Sequence, residues 1–478
     1  MAEPRRAAIV GAGPAGLLSA IMLAQRGWSV DVFDGRQPPL PPSDAAWGAG
    51  ERSYQLGLNG RGQRSLREFG AMERVSKYAA SVNGRLSFEK TTGAPKESRL
   101  KPPGTPGAEK TYVTRVLQRD RLQACLLEEV RESTNVRVTF GLACEGVDVS
   151  GDRPVVRLCE SDGGESESCA VDAPASTSRV TADLVVGADG VNSAVRDSLV
   201  AAGDTVAVRY KNTNERVYKT LPLHPSDVAG TASDLNWGAS NRSLGLGMDA
   251  LPTKEGEMVA VLLFKPGTPA YDRVEALSSA EEARTFLCES LPHVAPYVRD
   301  EELERFVARP ISRLPSFMCV EGPIHHGLPQ GGVLLLGDAI KAVKPYFGQG
   351  ANSALEDVSV LRRCLDDCDD APAATAAAFT AARADDARAL VQVSRRFDRP
   401  GPLGTASFVL PLLLDIQLNK LLPALFSPPT LRGLQDERNS FVGLVRKKRR
   451  ERAVLVGLLG ALVGVAWRAR LAVRAVGV

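Results

Sequence analysis

The alternation of apolar runs, glycines and amphipathic stretches near the amino terminus predicts a βαβ unit. Residues 6–10 (RAAIV) form a short apolar run that ends in glycines, and residues 14–25 have the pattern of a helix. Residues 29–33 form a second apolar run, which ends in Asp34. Strand, glycine turn, helix and strand in this order are typical of an α/β protein with a parallel sheet.

The rest of the pattern predicts a second sheet and a helical carboxyl-terminal region. Alternating apolar runs between Val206 and Phe264 favour an antiparallel sheet, and hence a domain inserted into the first one. Beyond Pro400 the composition shifts to Leu-rich helices. Further strands are predicted at 136–140, 182–186 and 332–336, and helices at 56–81, 122–130, 352–365 and 371–389.

Length and composition change this picture little. A chain of 478 residues has room for two or three domains. The net charge of +3 gives no sign of a nucleic-acid partner, and none is expected. The eight cysteines contain no CxxC pair and have no histidines at ligand spacing, so we expect reduced thiols and no metal site.

The first turn, GAGPAG, has the spacing of a dinucleotide-binding loop. Gly11 permits the tight turn, Gly13 lets the backbone approach a pyrophosphate, and Gly16 lets the helix pack on the strand. Asp34, 23 residues after Gly11, is expected to bind an adenosine ribose, and Arg36 is assigned to the same site. The turn alone does not decide between FAD and NAD.

A second motif, GADGVNSAVR at residues 187–196, follows a predicted strand and opens a helix. It is similar to the DG motif of flavoprotein hydroxylases, and Asp189, Gly190 and Ala194 are therefore assigned to the cofactor site. A strand-to-helix turn that needs Asp and Gly for its own geometry is the alternative explanation.

A third motif, GD after the strand VLLL, is followed by KPYFGQGAN. The carboxylate of Asp338 can accept hydrogen bonds from the ribityl hydroxyls of a flavin. The glycine turn leads into a helix whose positive end can face the flavin pyrimidine edge. Because this motif lies about 320 residues after the first, the sequence predicts an FAD site built from both ends of the chain. The other residues assigned to it are Gly337, Gly350, Ala351 and Asn352.

Three segments resemble the kynurenine 3-monooxygenases, a family of FAD-dependent aromatic hydroxylases among the class A flavoprotein monooxygenases. Residues 51–62 (ERSYQLGLNGRG) resemble the family's RSINLALSxRG, and residues 345–350 (PYFGQG) its PFFGQG. Residues 119–122 (RDRL) resemble its flavin-binding arginine segment. The resemblance implies that Arg119 clamps the pyrophosphate and that Gly57 belongs to the cofactor site.

The resemblance also implies the chemistry. FAD reduced by NADPH would react with oxygen to give a C4a-hydroperoxide, which would hydroxylate a small aromatic substrate, with L-kynurenine 3-hydroxylation as the expected reaction. Pro345, Tyr346 and Phe347 are expected to keep water from the catalytic centre. Two alternatives on the same scaffold remain, an epoxidase or reductase acting on an isoprenoid and a non-catalytic FAD-binding protein.

The substrate residues follow the family less closely. Arg85 matches the arginine that binds the amino-acid carboxylate, although a solvated surface arginine is the alternative. Tyr112 is expected to replace a family tyrosine, and Gln392 and Asn439 stand where two further carboxylate contacts are expected. Where the family has Ala-His after Gly-Asp-Ala, this chain has Ile-Lys, with Lys341 in place of the histidine.

The tail contains six cations from Arg446 to Arg452, followed by fifteen uncharged residues, 453–467. As a helix this run is about 22 Å long, whereas a span needs about 20 residues. Composition allows either an anchor with Arg468 and Arg470 at the lipid surface or a docked amphipathic helix. The resemblance favours membrane association through the tail, facing the cytosol, at the mitochondrial outer membrane. No targeting segment is expected before the first strand.

The predicted fold class is α/β, with a Rossmann-like FAD-binding domain, an interleaved α+β substrate domain and a carboxyl-terminal helical region. Residues 1–200 with 310–395 are assigned to the FAD-binding domain. Residues 201–309, with part of 60–115, are assigned to the substrate domain. Residues 396–478 are assigned to the helices that carry the basic cluster and the candidate anchor.

Overall fold

The computed structural model describes residues 3–44, 47, 54–88, 95–105, 111–161, 178–203, 205–228 and 234–476, with side chains described as far as residue 468. It is mixed α/β and separates into two compact units, Met1–Ala384 and Asp385–Val478. Residues 51–53 of the predicted flavin segment lie outside the described residues.

The strands and helices are numbered in chain order. The strands are β1 (Arg6–Val10), β2 (Ser29–Asp34), β3 (Gln55–Leu58), β4 (Ala80–Val82), β5 (Gly84–Phe88), β6 (Pro95–Arg99), β7 (Thr114–Gln118), β8 (Val136–Phe140), β9 (Leu142–Asp148), β10 (Val155–Glu160), β11 (Ser178–Thr181), β12 (Leu184–Gly187), β13 (Val206–Arg209), β14 (Val217–Leu223), β15 (Asn236–Asn241), β16 (Leu246–Pro252), β17 (Met258–Phe264), β18 (Ser312–Arg313), β19 (Met318–Glu321), β20 (His325–Leu328), β21 (Gly331–Leu335) and β22 (Lys341–Ala342). The helices are α1 (Pro14–Gln25), α2 (Gly60–Glu68), α3 (Met72–Tyr78), α4 (Arg119–Arg131), α5 (Ala194–Ala201), α6 (Pro269–Glu275), α7 (Ala280–Ser290), α8 (Asp300–Ala308), α9 (Gln349–Asp367), α10 (Pro372–Phe397), α11 (Gly401–Leu421), α12 (Thr430–Gln435) and α13 (Phe441–Val476).

A six-stranded sheet, in the order β20-β21-β12-β1-β2-β8, forms the centre of the first unit. Its neighbours pair in parallel except β20 and β21, and Ile9 of β1 lies between Val32 of β2 and Val186 of β12. These strands read as continuous apolar runs because helices can cover both faces of a parallel sheet. Because the carboxyl ends of parallel strands meet at one edge, the turns after β1, β12 and β21 gather there.

A seven-stranded sheet, in the order β18-β14-β17-β16-β15-β5-β6, forms the second layer. Its pairs are antiparallel except β15 with β5. Alternate residues such as Trp237, Met248 and Leu262 pack into one core with residues of α7 and α8, among them Phe286 and Phe306. Since side chains alternate along a strand, the intervening residues form the opposite, more polar face of the sheet.

One predicted helix is wrong in part. The stretch 56–81 contains α2 and α3, but it is preceded by β3 and ends in β4. Both strands pair with β7, which lies more than 30 residues away from β4 in the chain. Non-local pairing of this kind leaves little trace in the local apolar pattern.

The second unit is helical and contains the end of α10 together with α11, α12 and α13. The basic cluster and the apolar run 453–467 belong to one helix, α13. Among the described residues, one helix is long and apolar enough to cross a membrane, and it is α11, whose side chains are mostly exposed. The division between FAD-binding and substrate domains stays a prediction.

The prediction that all cysteines are reduced is wrong in part. Cys159 is disulfide-bonded, so the expectation that all eight cysteines are reduced is wrong. Six others are free, among them the buried Cys125, Cys319 and Cys364. In the part of the chain that is described, no group of three or more His, Cys, Asp or Glu side chains could hold a metal ion.

Candidate functional site

The turn after β1 leaves no room for a side chain at two of its three glycines. Gly11 has φ +99°, and a Cβ there would lie 2.5 Å from the Ala188 carbonyl oxygen. A Cβ on Gly16 would lie 1.9 Å from the Gly11 oxygen. A Cβ on Gly13, in contrast, would meet no atom within 4 Å. The space beside Gly13 is therefore open where α1 begins, and no side chain caps this helix end.

Asp34 fixes this turn to β2. Its Oδ2 accepts a hydrogen bond from Ala12 N at 2.8 Å, and both carboxylate oxygens accept from the Arg36 side chain at 3.1 Å. Burial alone would raise the pKa of Asp34, but its bonds with Arg36 lower it overall. On the other side of the loop, Gln123 of α4 donates to the Ala12 oxygen at 2.9 Å. The acid and Arg36 thus form one charged pair, and ribose binding by Asp34 stays a prediction.

The turn after β12 places a carboxylate next to the glycine loop. Gly190 has φ +77°, and α5 begins with Ala194 after the side-chain cap Ser193. Asp189 accepts a hydrogen bond from Val195 N through Oδ2 at 3.2 Å, whereas its buried Oδ1 has no partner among the described residues. Burial raises the pKa of Asp189 to about 6, although hydrogen bonds from Ser193 and nearby backbone groups lower it.

The turn after β21 carries Asp338. Gly337 has φ +59° and donates its N–H to Asp357 Oδ2 at 2.9 Å. This bond fixes the turn to α9. The Asp338 side chain is open to solvent but has protein around it. This enclosure raises its pKa, while the positive charges of Arg119 and Lys341 lower it. Asp338 therefore lies in a recess and not on an outer surface.

Asn352 joins the beginning of α9 to the β3–α2 segment. Its Oδ1 accepts a hydrogen bond from Asn59 N at 2.9 Å, and its Nδ2 donates to the carbonyl oxygens of Gly57 at 2.8 Å and Gly348 at 2.6 Å. A Cβ on Gly62 would lie 2.4 Å from Asn352 Oδ1, so the two segments are in close contact. The structure thus brings together Gly57 and Asn352, which are far apart in the sequence.

The helix α9 begins in a conformation suited to an anion. Gly348 is left-handed, with φ +60°, and no side chain caps the helix. Gly350 and Ala351, both half-buried, lie in its first turn. The N–H groups and the positive end of the helix dipole therefore face outward at this point.

Pro345, Tyr346 and Phe347 form a single 3-10 turn immediately before α9. Lys344, which is buried, anchors it by donating from Nζ to Asn212 Oδ1 at 2.9 Å and to the Asn214 oxygen at 3.0 Å. The guanidinium of Arg216 lies over the Tyr346 ring, 5.5 Å from its centre. The turn is held to the segment before β14, which belongs to the seven-stranded sheet.

Arg119 shares the recess with Asp338. Burial raises the pKa of Tyr54, the charge of Arg119 lowers it, and Asp338 and Tyr218 raise it further, so these groups influence one another. Arg119 makes no side-chain hydrogen bond or ion pair with any described residue. These charge effects mean that Arg119 lies near Asp338, and both its assignment to the FAD site and its role as pyrophosphate clamp stay predictions.

Arg85 lies on the polar face of the seven-stranded sheet. The neighbouring Leu86 packs against the core, so Arg85 points to the opposite side. Its NH2 is 2.6 Å from Asp249 Oδ1, and about half of each side chain is exposed. The guanidinium lies close over Gly238, where a Cβ would be 2.1 Å from NH2. Arg85 is therefore partly solvated, as expected of a surface arginine, and also held in place, as expected of an anchor for a carboxylate.

The other predicted substrate residues are less informative. Tyr112 is buried in the first unit. Gln392 is exposed on α10, and Asn439 donates from Nδ2 to the Gly433 oxygen at 3.1 Å, near the end of α12. Gln392 and Asn439 both belong to the second unit, so their part in substrate binding stays a prediction.

Comparison with known proteins agrees with these motifs. A family model described as FAD binding domain matches residues 5–394. A kynurenine 3-monooxygenase from Salinispora arenicola is 31% identical over 385 residues, which cover 79% of this chain and 76% of the relative. The chain belongs to the kynurenine 3-monooxygenase family. A second family member, from Xanthomonas campestris pv. campestris, is 29% identical over 438 residues, covering 89% of this chain and 86% of the relative.

Solved structures of other proteins share this fold. The tetrameric form of 2-methyl-3-hydroxypyridine-5-carboxylic acid oxygenase has a TM-score of 0.60 and 21% identity, covering 84% of this chain and 95% of that one. Klebsiella pneumoniae HpxO complexed with FAD and uric acid has a TM-score of 0.60 and 18% identity, and the match covers 92% of this chain and 97% of that one. At these identities the likeness concerns the fold.

As a member of the kynurenine 3-monooxygenase family, the protein is an FAD-dependent monooxygenase, and its residues fit this cofactor. The open space beside Gly13 suits a pyrophosphate, and so does Arg119, whose guanidinium has no partner among the described residues. The buried Asp189 Oδ1 has no partner among the described residues, as expected of an atom that faces a ligand. Asp338 in its recess suits the ribityl hydroxyls.

The family motifs did not reveal two glutamines in this site. Gln55 and Gln118 are register partners of β3 and β7, next to Tyr54 and Arg119. Both amide atoms of Gln55 and the Nε2 of Gln118 are buried without a partner among the described residues. Buried amides are normally hydrogen-bonded, so this pair is suited to face the cofactor or the substrate. The only sequence signal for it is its position beside the family segments.

Proposed function

We propose that this monooxygenase uses NADPH to hydroxylate a small aromatic amino acid, with L-kynurenine as the first candidate. The observation that carries the proposal is the convergence of three distant turns on one recess in a chain that is 31% identical to a kynurenine 3-monooxygenase. Molecular oxygen is the co-substrate. When bound and reduced, FAD supplies the oxygen-activating chemistry.

The chain's own residues have the task of binding and orientation. The amino ends of α1 and α9 offer N–H groups and positive dipole ends, the first for the pyrophosphate and the second for negative charge on the reduced flavin ring. Asp338 and Asp34 accept hydrogen bonds from sugar hydroxyls. Tyr346 and Phe347, with ring centres 6.4 Å apart, provide an aromatic wall that excludes water.

Arg85 is the proposed anchor for the substrate carboxylate. A guanidinium binds a carboxylate with two parallel hydrogen bonds, and Asp249 already occupies this geometry from one side. An incoming carboxylate would compete with Asp249 for Arg85. Gln392 and Asn439, which stand at two family positions for carboxylate contacts, would affect the choice between L-kynurenine and related aromatic amino acids.

A turnover screen tests the proposal. The FAD-loaded protein is incubated with NADPH and one aromatic amino acid at a time, and NADPH oxidation, oxygen uptake and hydroxylated product are measured together. We expect L-kynurenine to stimulate NADPH oxidation and to give one hydroxylated product per NADPH. NADPH oxidation without product, or no stimulation by any aromatic amino acid, would refute it and favour the isoprenoid or scaffold alternatives.

We also propose that the second unit associates with a membrane on the cytosolic side, the mitochondrial outer membrane being the family expectation. The support is α11, which is apolar and exposes large side chains, among them Leu410 (64%) and Leu421 (72%). Contiguous exposed apolar surface of this kind commonly marks an interaction site.

Replacing Leu410, Leu413 and Leu421 together with serine should reduce flotation with phosphatidylcholine vesicles. Unchanged flotation would contradict the proposal.

A further inference from the structure

The second unit contains a pocket of about 650 Å³, counted with the open space at its mouth. Helix α11 contributes an apolar wall that includes Phe408 and Leu412. The facing wall is cationic, with Arg396 from the end of α10 and Arg449 and Arg452 from α13. The pocket thus combines an apolar side with a group of guanidinium groups.

Helical spacing explains which part of the basic cluster faces the pocket. Val445, Lys448, Arg449 and Arg452 line it, and their spacing of three and four residues puts them on one face of α13. Arg446, Lys447 and Arg450 belong to the same cluster but do not line the pocket, as expected from a rotation of about 100° per residue. The cluster therefore has two faces that can be changed separately.

The cations that line the pocket differ in whether a carboxylate of the protein balances their charge. Lys448 is buried and lies 2.9 Å from Glu451 Oε2 and 3.5 Å from Asp415 Oδ2. In the described part of the chain, no carboxylate forms an ion pair with Arg396, Arg449 or Arg452. The positive charge of the lysine is thus balanced inside the protein, whereas that of the three arginines is not.

The arginines also act on one another. Burial lowers the pKa of Arg396, and so do the charges of Arg452, Arg449 and Arg399. Like charges that converge at the mouth of a pocket favour the binding of an anion, because it relieves their repulsion. Guanidinium groups are suited to phosphate, to which they donate two parallel hydrogen bonds.

The surroundings of the pocket favour a lipid as the source of the phosphate. The face of α11 with Phe408, Leu412 and Asp415 lines the pocket, and a rotation of about 100° per residue puts the exposed Val409 and Ile416 beside that face. An anionic headgroup and an apolar chain would therefore find complementary surfaces on neighbouring sides of one helix.

We propose that Arg396, Arg449 and Arg452 form a binding site for the phosphate of an anionic phospholipid, whose acyl chains lie along the exposed face of α11. This inference rests on the proposed membrane association and adds a headgroup preference to it. It is independent of the hydroxylation chemistry.

The test compares two double variants of the full-length, FAD-loaded protein. R449Q/R452Q removes two charges from the pocket, and R446Q/R450Q removes two from the other face of α13. Flotation is measured with phosphatidylcholine vesicles that contain or lack phosphatidylglycerol. We expect wild type to bind the anionic vesicles more tightly, the pocket variant to lose roughly tenfold or more of this affinity, and the control variant to lose clearly less.

The outcomes separate the proposals. Equal losses in both variants would overturn the pocket, because the cluster would then act only as a diffuse positive charge. Equal flotation of wild type with both vesicle types would leave membrane association intact and overturn the headgroup site, whereas flotation with neither would overturn both. Displacement by low concentrations of inorganic phosphate would overturn the lipid in favour of a free anion. Hydroxylation in the same samples shows separately whether the proposed catalytic function holds.

Discussion

Lys341 and Asp357 form an ion pair in the interior of the first unit, with 2.6 Å between Nζ and Oδ2. The same carboxylate oxygen accepts the N–H of Gly337, and Arg383 binds the second oxygen at 2.7 Å. Burial alone would raise the pKa of Asp357, but the two cations lower it. The pair therefore holds the turn that carries Asp338, at the position where the family has a histidine.

Replacing Lys341 with methionine should loosen this turn. We expect the free energy of unfolding to fall by about 2–4 kcal/mol, somewhat less than for the loss of a sole partner because Arg383 remains. Affinity for FAD should fall as well. Denaturant unfolding of the apo form and FAD titration by fluorescence measure the two effects. Lys341→Arg keeps the charge and should recover most of both, and identical behaviour of Lys341→Met and wild type would show that the pair does not support the site.

Gly13 and Gly16 should respond differently to alanine. A Cβ on Gly13 meets no atom within 4 Å, so Gly13→Ala should leave the melting temperature of the apo protein unchanged. It should weaken FAD binding by roughly tenfold or more, because the methyl group occupies the space that the pyrophosphate needs. Gly16→Ala should destabilise the fold itself, since its Cβ would lie 1.9 Å from the Gly11 oxygen. Normal FAD affinity in Gly13→Ala would remove this loop from the cofactor site.

Asp189 should make stability fall as pH rises. Its pKa is raised by burial from 3.8 to about 6, so between these pH values the folded protein binds more protons than the unfolded chain, and the free energy of unfolding decreases with increasing pH. Asp189→Asn should remove this dependence and make the apo protein more stable than wild type at pH 7 by about 1–3 kcal/mol, with no difference near pH 4. Chemical denaturation from pH 4 to pH 8 measures it.

Asp148 offers a control, because its effect on the free energy of unfolding changes with pH in the opposite direction. Hydrogen bonds from Ser150 lower its pKa, so its stabilising contribution is present above the ordinary pKa of aspartate and is lost as pH falls through the lowered value. Asp148→Asn should therefore lower stability near neutral pH. A pH-independent difference between Asp189→Asn and wild type would mean that the Asp189 carboxylate is well solvated.

Arg85→Ala should raise the KM for the effective amino acid roughly tenfold or more, because a charge-assisted pair contributes about 1.5–3 kcal/mol. Flavin content should stay normal. Asp249→Asn is the matched variant. It removes the competing carboxylate, whose Oδ1 lies 2.6 Å from Arg85 NH2, and it should lower KM or leave it unchanged. Steady-state kinetics of product formation decide the matter, and unaltered kinetics in Arg85→Ala would exclude it as the anchor.

The sequence predicted the flavin motifs because each is a local pattern. The βαβ unit, the turn of Asp189 and the turn of Asp338 all lie where a strand meets a short helix or turn, as predicted. The pattern could not show that Asn352 would bind the backbone of Gly57 and Asn59, since these contacts join segments nearly 300 residues apart. Side-chain chemistry alone does not specify such a partner.

Errors arose where distant parts of the chain decide local structure. The stretch 56–81 was predicted as helical, but β3 and β4 form there because β7 is available for pairing. The apolar run 453–467 stays the predicted anchor, and α11 is a further exposed apolar helix that the sequence analysis did not single out. Its exposure depends on which helix faces are covered in the fold, and the apolar pattern does not contain this information.

The bonds of Asn352 also bear on how the protein acquires FAD during synthesis. The nascent chain displays the glycine loop and β3 early, but the partner of Gly57 leaves the ribosome only after roughly 350 residues have been made and several tens more have filled the exit tunnel. At about 5–20 residues per second, the amino-terminal half waits tens of seconds before the pocket can close. Cofactor capture should therefore be a late event, and flavin shortage would leave apoprotein that is already full-length.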